Sequence, residues 1–246
     1  MSAILGIDVG ASGIKGALVD LTNGRLVGER FRVPTPKPST PEAMAGAVAE
    51  IAEFFNHKGL IGCGFPALVK DGIALSAANI DKSWIGVDIN EIFGTATGCT
   101  VKATNDADAA GVAEMRYGIG QGENGLVLLI TIGTGLGSAL FYQGKLIPNT
   151  ELGHLLWKNG KAVELWCSSG AREQLKIGRK DWAERFNKYL LHLERLFSPD
   201  LFILGGGESK HFESYKELIT PKARVIPATL LNNAGIIGAA AFAAAQ

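Results

Sequence analysis

Residues 4–20, ILGIDVGASGIKGALVD, set one aspartate, Asp8, near the end of a β-branched apolar run. A glycine turn at Gly10–Gly13 follows, and then Lys15 opens a second apolar run. Short apolar runs bounded by glycine read as strands joined by a tight turn. With Asn23-Gly24 as the next turn signal, residues 3–9, 14–20 and 25–33 are expected to form an antiparallel meander. The pattern recurs further along the chain. ITIGTGLGSALFYQ (130–143) aligns with IDVGASGIKGALVD (7–20) through a one-residue gap, and Gln143-Gly144 then takes the place of Asn23-Gly24. Two such copies read as an internal duplication, in which each of two lobes offers a glycine turn to one cleft.

The intervening sequence supports an α/β alternation. VPTPKPSTP (33–41) carries four prolines and reads as an extended crossover. Thr40-Pro41 then has the form of an N-cap with proline at the first helical position, and a helix is expected over about 41–56. Strands are expected at 61–69, 99–106, 126–133, 201–207 and 223–228, and helices at 107–117, 170–197 and from about 233 to the end. The expected partition is a small N-terminal lobe over 1–104, with the helix of about 233–246 packing back on it, and a large C-terminal lobe over 105–232.

Bulk composition narrows the function classes. The 24 basic and 24 acidic residues balance, so the basic excess usual in nucleic-acid or anionic-membrane binders is missing, and neither partner is expected. Cys63, Cys99 and Cys167 are odd in number and scattered, which fits neither a disulfide framework nor a zinc site and suits a reducing cytoplasm. No signal-peptide core or membrane span is expected. Glycine, at 32 of 246 residues, clusters after strand-like runs, where backbone can approach a ligand.

The first turn offers backbone N–H groups at Gly10, Ser12 and Gly13, a hydroxyl at Ser12 and a cation at Lys15, a set that suits phosphate oxygens. It is not a Walker A loop, because the G-x-x-x-x-G-K-[ST] order is absent and a strand follows. A carboxylate ending a buried strand is costly to desolvate unless it serves a cation or donors, so Asp8 is a candidate for a magnesium-bound water. Gly133-Thr134-Gly135 repeats the turn without a cation. Asn105-Asp106 ends one strand and opens a helix. Ordinary N-capping explains such a pair, yet one residue can cap while the aspartate acts as general base toward a hydroxyl. Thr150-Glu151-Leu152-Gly153-His154 sets a carboxylate and an imidazole three apart, suited to sugar hydroxyls, which both donate and accept. Gly205, Gly206 and Gly207 form a third close-approach turn, whereas Gly235 and Gly238 are read as permitting close helix packing, with a place at the border of the cleft as the alternative.

In this order, two phosphate turns, an Asn-Asp pair, Glu-x-Gly-His and a late triple glycine resemble the sugar kinases of the ROK family, in the actin/Hsp70/hexokinase (ribonuclease H-like) fold superfamily. More narrowly, ASGIKGALVDLTNGRLVG, AANIDKSWIG, NDADAAG and LIPNTELGH resemble the family's bacterial polyphosphate glucokinases. The resemblance implies glucose as acceptor, inorganic polyphosphate and/or ATP as donor, Mg²⁺ as cofactor and a homodimer, with a strictly ATP-dependent ROK glucokinase as the alternative. Carried over by position, Asp106 takes the proton of the sugar 6-hydroxyl. Asn105, Glu151, His154 and Glu164 hold the other hydroxyls. Asp8, Gly10, Ser12, Gly13, Lys15, Gly133, Thr134 and Gly135 orient the donor phosphates and Mg²⁺. Lys82, in the Asp81-Lys82-Ser83-Trp84 block, is expected to begin a basic track for a polyphosphate chain, with Arg172 and Arg179 among its further candidates. Many ROK members carry a cysteine-rich zinc motif after Glu-x-Gly-His; KNGKAVELWCSSG here does not, and no structural zinc is expected. The family's DNA-binding repressors are set aside because the chain opens directly on the phosphate strand.

Overall fold

The computed structural model describes residues 3–158 and 160–246. They fall into two compact units, Met1–Tyr117 with Asn232–Gln246, and Gly118–Leu231.

In the first unit, β1 (Ile4–Gly10), β2 (Gly13–Asp20) and β3 (Arg25–Val33) form the antiparallel meander read from the glycine pattern. Then come α1 (Pro41–Phe54), β4 (Leu60–Phe65), a small hairpin of β5 (Val69–Lys70) and β6 (Ile73–Ala74), α2 (Ile89–Thr97), β7 (Thr100–Asn105) and α3 (Asp106–Tyr117). β4 and β7 join parallel to β1, giving a sheet ordered β3-β2-β1-β4-β7. Thr40 caps α1 through Ala43 N at 3.4 Å, with Pro41 in its first turn.

The second unit repeats the plan. β8 (Leu126–Ile132), β9 (Leu136–Tyr142) and β10 (Lys145–Ile147) form a meander, and β11 (Leu201–Gly206) and β12 (Arg224–Pro227) join in parallel on the other side of β8. Its order, β10-β9-β8-β11-β12, is that of the first sheet, position for position. Between β10 and β11 lie α4 (Glu164–Cys167), α5 (Ser169–Gln174) and α6 (Arg179–Phe197).

Each unit buries its own core. In the first, Trp84 is fully buried between Phe65 and Phe93, at ring separations of 4.6 and 5.6 Å, and its Nε1 donates to Ser39 O at 2.9 Å. In the second, Trp182, Phe186, Tyr189, Leu190 and Leu193 recur at helical spacing along α6 and pack on the sheet. The last helix, α7 (Ala234–Ala243), belongs to the first unit and lies against β1, β4 and α3. The approach is backbone on backbone. A Cβ at Gly6 would overlap Ile236 O, one at Gly62 would overlap Ala239 O, and one at Gly238 would overlap Ala109 O.

Three features depart from the sequence expectation. The boundary between units falls after Tyr117 and not after residue 104, because α3 packs against α7. The single helical stretch expected over 170–197 is broken, since Lys176 has φ +52° and Gly178 opens α6 as its N-cap. α2 was not expected at all; its signals are brief, an Asp88 cap on Glu91 N at 3.1 Å and a left-handed Gly98 at the C-cap.

Candidate active-site residues

The register of the first sheet sets Asp8 opposite Lys15, and Lys15 opposite Arg32. Lys15 Nζ lies 3.5 Å from Asp8 Oδ2. Burial pushes the Asp8 carboxyl above its ordinary value, with Lys15 and then Arg30 pulling the other way. The other flank of the carboxyl faces Gly235, at the start of α7, where a Cβ would crowd Asp8 Oδ1 and Cγ. Gly235 therefore makes room for Asp8, while Gly238 serves helix packing. The turn itself is braced from outside: Thr35 Oγ1 donates to Gly10 O at 2.6 Å, and Arg32 Nη2 donates to Ser12 O at 2.5 Å. Neither brace was read from the sequence, because Thr35 sits in the proline crossover and Arg32 in a strand with no motif of its own.

At the end of β7, Asn105 is buried. Its Oδ1 accepts from Ala107 N and Asp108 N at 2.9 and 3.1 Å, and its Nδ2 donates to Ala67 O at 3.0 Å. Asn105 is thus the cap of α3. Asp106, at the first position of the helix, is partly exposed and accepts from Ala107 N at 2.8 Å. In the Asp81-Lys82-Ser83-Trp84 block, Asp81 Oδ1 accepts from Ser83 N at 2.9 Å, and exposed Lys82 reaches back to Ala77 O. The block closes its own loop around the buried Trp84.

In the second unit, the turn between β8 and β9 is held by Gly133 N donating to Gly135 O at 3.0 Å, with Thr134 exposed. Gly170 N, in α5, donates to Gly133 O at 3.2 Å, and a Cβ at Gly170 would overlap Thr134 O. Leu136 N donates to Glu164 Oε2 at 3.1 Å. The other oxygen, Oε1, lies 3.5 Å from His154 Nε2, and His154 Nδ1 lies 3.3 Å from Glu151 Oε2. A carboxylate–imidazole–carboxylate row thus starts at the glycine turn and ends on a half-exposed face. Burial raises the Glu151 carboxyl above its ordinary value; His154 opposes this and Glu164 reinforces it. Gly153 of Glu-x-Gly-His is required by space, because a Cβ there would overlap Leu136 O. Buried Ser138, which the sequence did not single out, anchors the same loop through Thr150 O and Leu152 N.

Gly206 has φ +78° and lies so close to Ile132 that any Cβ would overlap its backbone; Gly205 and Gly207 show no such crowding. The triple glycine is therefore, in part, a strand-packing device. Just beyond it, Glu208 is buried between Arg172 Nη2 at 3.1 Å and Arg179 Nε at 3.4 Å. Two of the candidate cations for a polyphosphate track are thus paired with a buried carboxylate. Among the described residues, no group of three or more His, Cys, Asp or Glu side chains is arranged to hold a metal ion. No helix there is long and apolar enough to cross a membrane.

Two five-stranded mixed sheets of one topology, each with a glycine turn in its first hairpin, define the actin- and hexokinase-like class of α/β proteins. The family model described as ROK family matches residues 4–176, and the chain belongs to the ROK family. A polyphosphate glucokinase of Mycobacterium tuberculosis (strain CDC 1551 / Oshkosh) is 46% identical over 96% of this chain and 89% of its own length. Among solved structures, the inorganic polyphosphate/ATP-glucomannokinase of Arthrobacter sp. strain KM superposes with a TM-score of 0.96, at 45% identity and full coverage of both chains. A ROK family glucokinase from Streptomyces griseus, in complex with glucose and AMPPNP, matches with a TM-score of 0.78 at 28% identity, covering 99% of this chain and 100% of its own.

Proposed function

We propose that this chain transfers the terminal phosphoryl group of inorganic polyphosphate, and of ATP, to the 6-hydroxyl of glucose, giving glucose 6-phosphate. The names of its similar relatives supply the donor and acceptor classes. The observation that carries the reading is Glu164, whose two oxygens join the second glycine turn to the His154–Glu151 row. A turn suited to phosphate and a row suited to sugar hydroxyls are thus tied together by one side chain.

In this reading Asp106 accepts the proton of the 6-hydroxyl as that oxygen attacks phosphorus. Asn105, Glu151, His154 and Glu164 orient the other hydroxyls. Gly10, Ser12, Gly13 and Lys15 in the first unit, and Gly133, Thr134 and Gly135 in the second, present N–H and hydroxyl donors to the donor's terminal phosphates. Lys82 and Gly205–Gly207 are assigned to the same donor. Little covalent chemistry falls to the protein, and positioning and electrostatics supply most of the catalysis. Asp8 fits Mg²⁺ chemically: it is a single carboxylate beside a phosphate turn, with Oδ2 on Lys15 and Oδ1 on the side of Gly235. Mg²⁺ commonly takes one or two carboxylates, with water and phosphate completing its shell. When bound, it would offset charge on the phosphates. A homodimer in a reducing cytoplasm completes the reading, in keeping with three buried free cysteines, and light scattering tests the assembly.

The test is a coupled glucose 6-phosphate assay with nucleotide-free polyphosphate and, separately, with ATP. Product from both donors is expected. Product from ATP alone would replace this reading by that of a strictly ATP-dependent ROK glucokinase, which the AMPPNP-bound relative represents.

A further inference from the structure

We infer that Arg32 is a donor-binding residue of the first glycine turn, contacting phosphate oxygens directly. This rests on the reading of that turn as a phosphate site. Asp8, Lys15 and Arg32 are successive cross-strand partners on β1, β2 and β3, so they form one row across the sheet. The inner two members answer each other, with Lys15 Nζ on Asp8 Oδ2. Arg32 is the outer member and is exposed; among the described residues it pairs with no carboxylate. Its neighbour Arg30 is directed elsewhere, with Nη1 3.3 Å from Asn233 Oδ1.

The guanidinium is seated on the turn. Nη2 donates to Ser12 O, and a side chain at Gly13 would overlap Nε, Cζ and Nη2. Gly13 is therefore bare where Arg32 lies over it. One of the five guanidinium N–H groups is used on Ser12 O, and a fixed, planar, permanently charged fork remains at the site where the turn's own N–H groups are offered. That geometry matches the paired oxygens of phosphate. Arg32 thus adds a second cation to the turn beside Lys15, which is shared with Asp8.

The experiment compares the wild type with Arg32→Gln and Arg32→Lys. KM for polyphosphate, ATP and glucose, and kcat, are measured, together with the melting temperature with and without tripolyphosphate. Arg32→Gln is expected to raise KM for both donors by about 10- to 100-fold, the worth of one charged hydrogen bond. KM for glucose and the ligand-free melting temperature should stay unchanged, and Arg32→Lys should recover part of the loss. A lowered melting temperature with parallel changes in donor and glucose KM would make Arg32 only a brace of the turn and overturn the inference. Unchanged donor KM would overturn it as well. A wild type that turns over neither donor, yet gains a tripolyphosphate-induced shift that Arg32→Gln abolishes, would defeat the kinase reading and support this one.

Discussion

At the scale of single residues, Asp106 and Asp8 make opposite demands. Asp106 stands partly exposed at the first position of α3, while Asn105 supplies the cap. Removing a general base typically costs about 10²–10⁴-fold in rate. Asp106→Ala should therefore lose kcat on that scale and keep its melting temperature; turnover near the wild-type value would remove Asp106 from the role. Burial works against the charged form of Asp8, and Lys15 and Arg30 oppose it only in part. Its folded value lies above 3.8, so the native state keeps a proton that the unfolded chain has already released. Stability then falls as pH rises from 3.8 through the raised value, and above that the burial penalty is complete. Asp8→Asn should match the wild type in melting temperature below this window, exceed it increasingly through the window and by a constant margin above it, and lose activity throughout. A difference independent of pH would show that Asp8 is not strained by burial. Both aspartates stand out as candidates in the sequence because they sit beside a glycine turn or at a strand end. Arg32, Thr35, Ser138 and Glu208 do not stand out, since each acts through register or a long-range contact that local sequence does not encode.

At the scale of elements, the second glycine turn rests on α5, and α5 is tied to the segment after β11. Gly170 N holds Gly133 O, Arg172 holds Glu208, and Glu208 follows the close approach of Gly206 to Ile132. Arg179, at the start of α6, closes the cluster. The break between α5 and α6 that the sequence did not reveal lets both arginines reach one carboxylate, and helical periodicity alone could not place it. Removing one partner from a buried charge cluster costs about 3–5 kcal/mol. Both guanidinium groups retain some solvent, so Glu208→Gln should fall near the low end, about 3 kcal/mol, measured by denaturant unfolding. A loss within about 0.5 kcal/mol, the size of an ordinary surface substitution, would mean that the cluster does not stabilise the unit. The strands, by contrast, were largely legible, because alternation and turn residues are local signals. The aligned glycine hairpins at 7–20 and 130–143 point to a shared hairpin in the two sheets, whereas the order in which the parallel strands join each sheet rests on long-range pairing that local sequence does not encode.

At the scale of the whole chain, the two glycine hairpins differ in what surrounds them. The first carries Asp8 and Lys15 within the hairpin. Beside the second stand Glu164, His154 and Glu151, outside the hairpin. A nucleotide switch of the same fold class would need the two turns but not that row, so the proposed sugar role of the row is where the two readings part. Mass action gives the measurement. A ligand at 100 times its Kd stabilises the folded state by about 2.7 kcal/mol, or roughly 5–10 °C in Tm for a chain of this length. Glucose should produce a shift of that size in the wild type. Glu151→Gln should lose most of it, because the variant no longer presents an ionised acceptor to a sugar hydroxyl and leaves His154 with Glu164 alone. A wild type protected by nucleotide or polyphosphate but not by glucose would assign the row a structural task and turn the reading toward the switch.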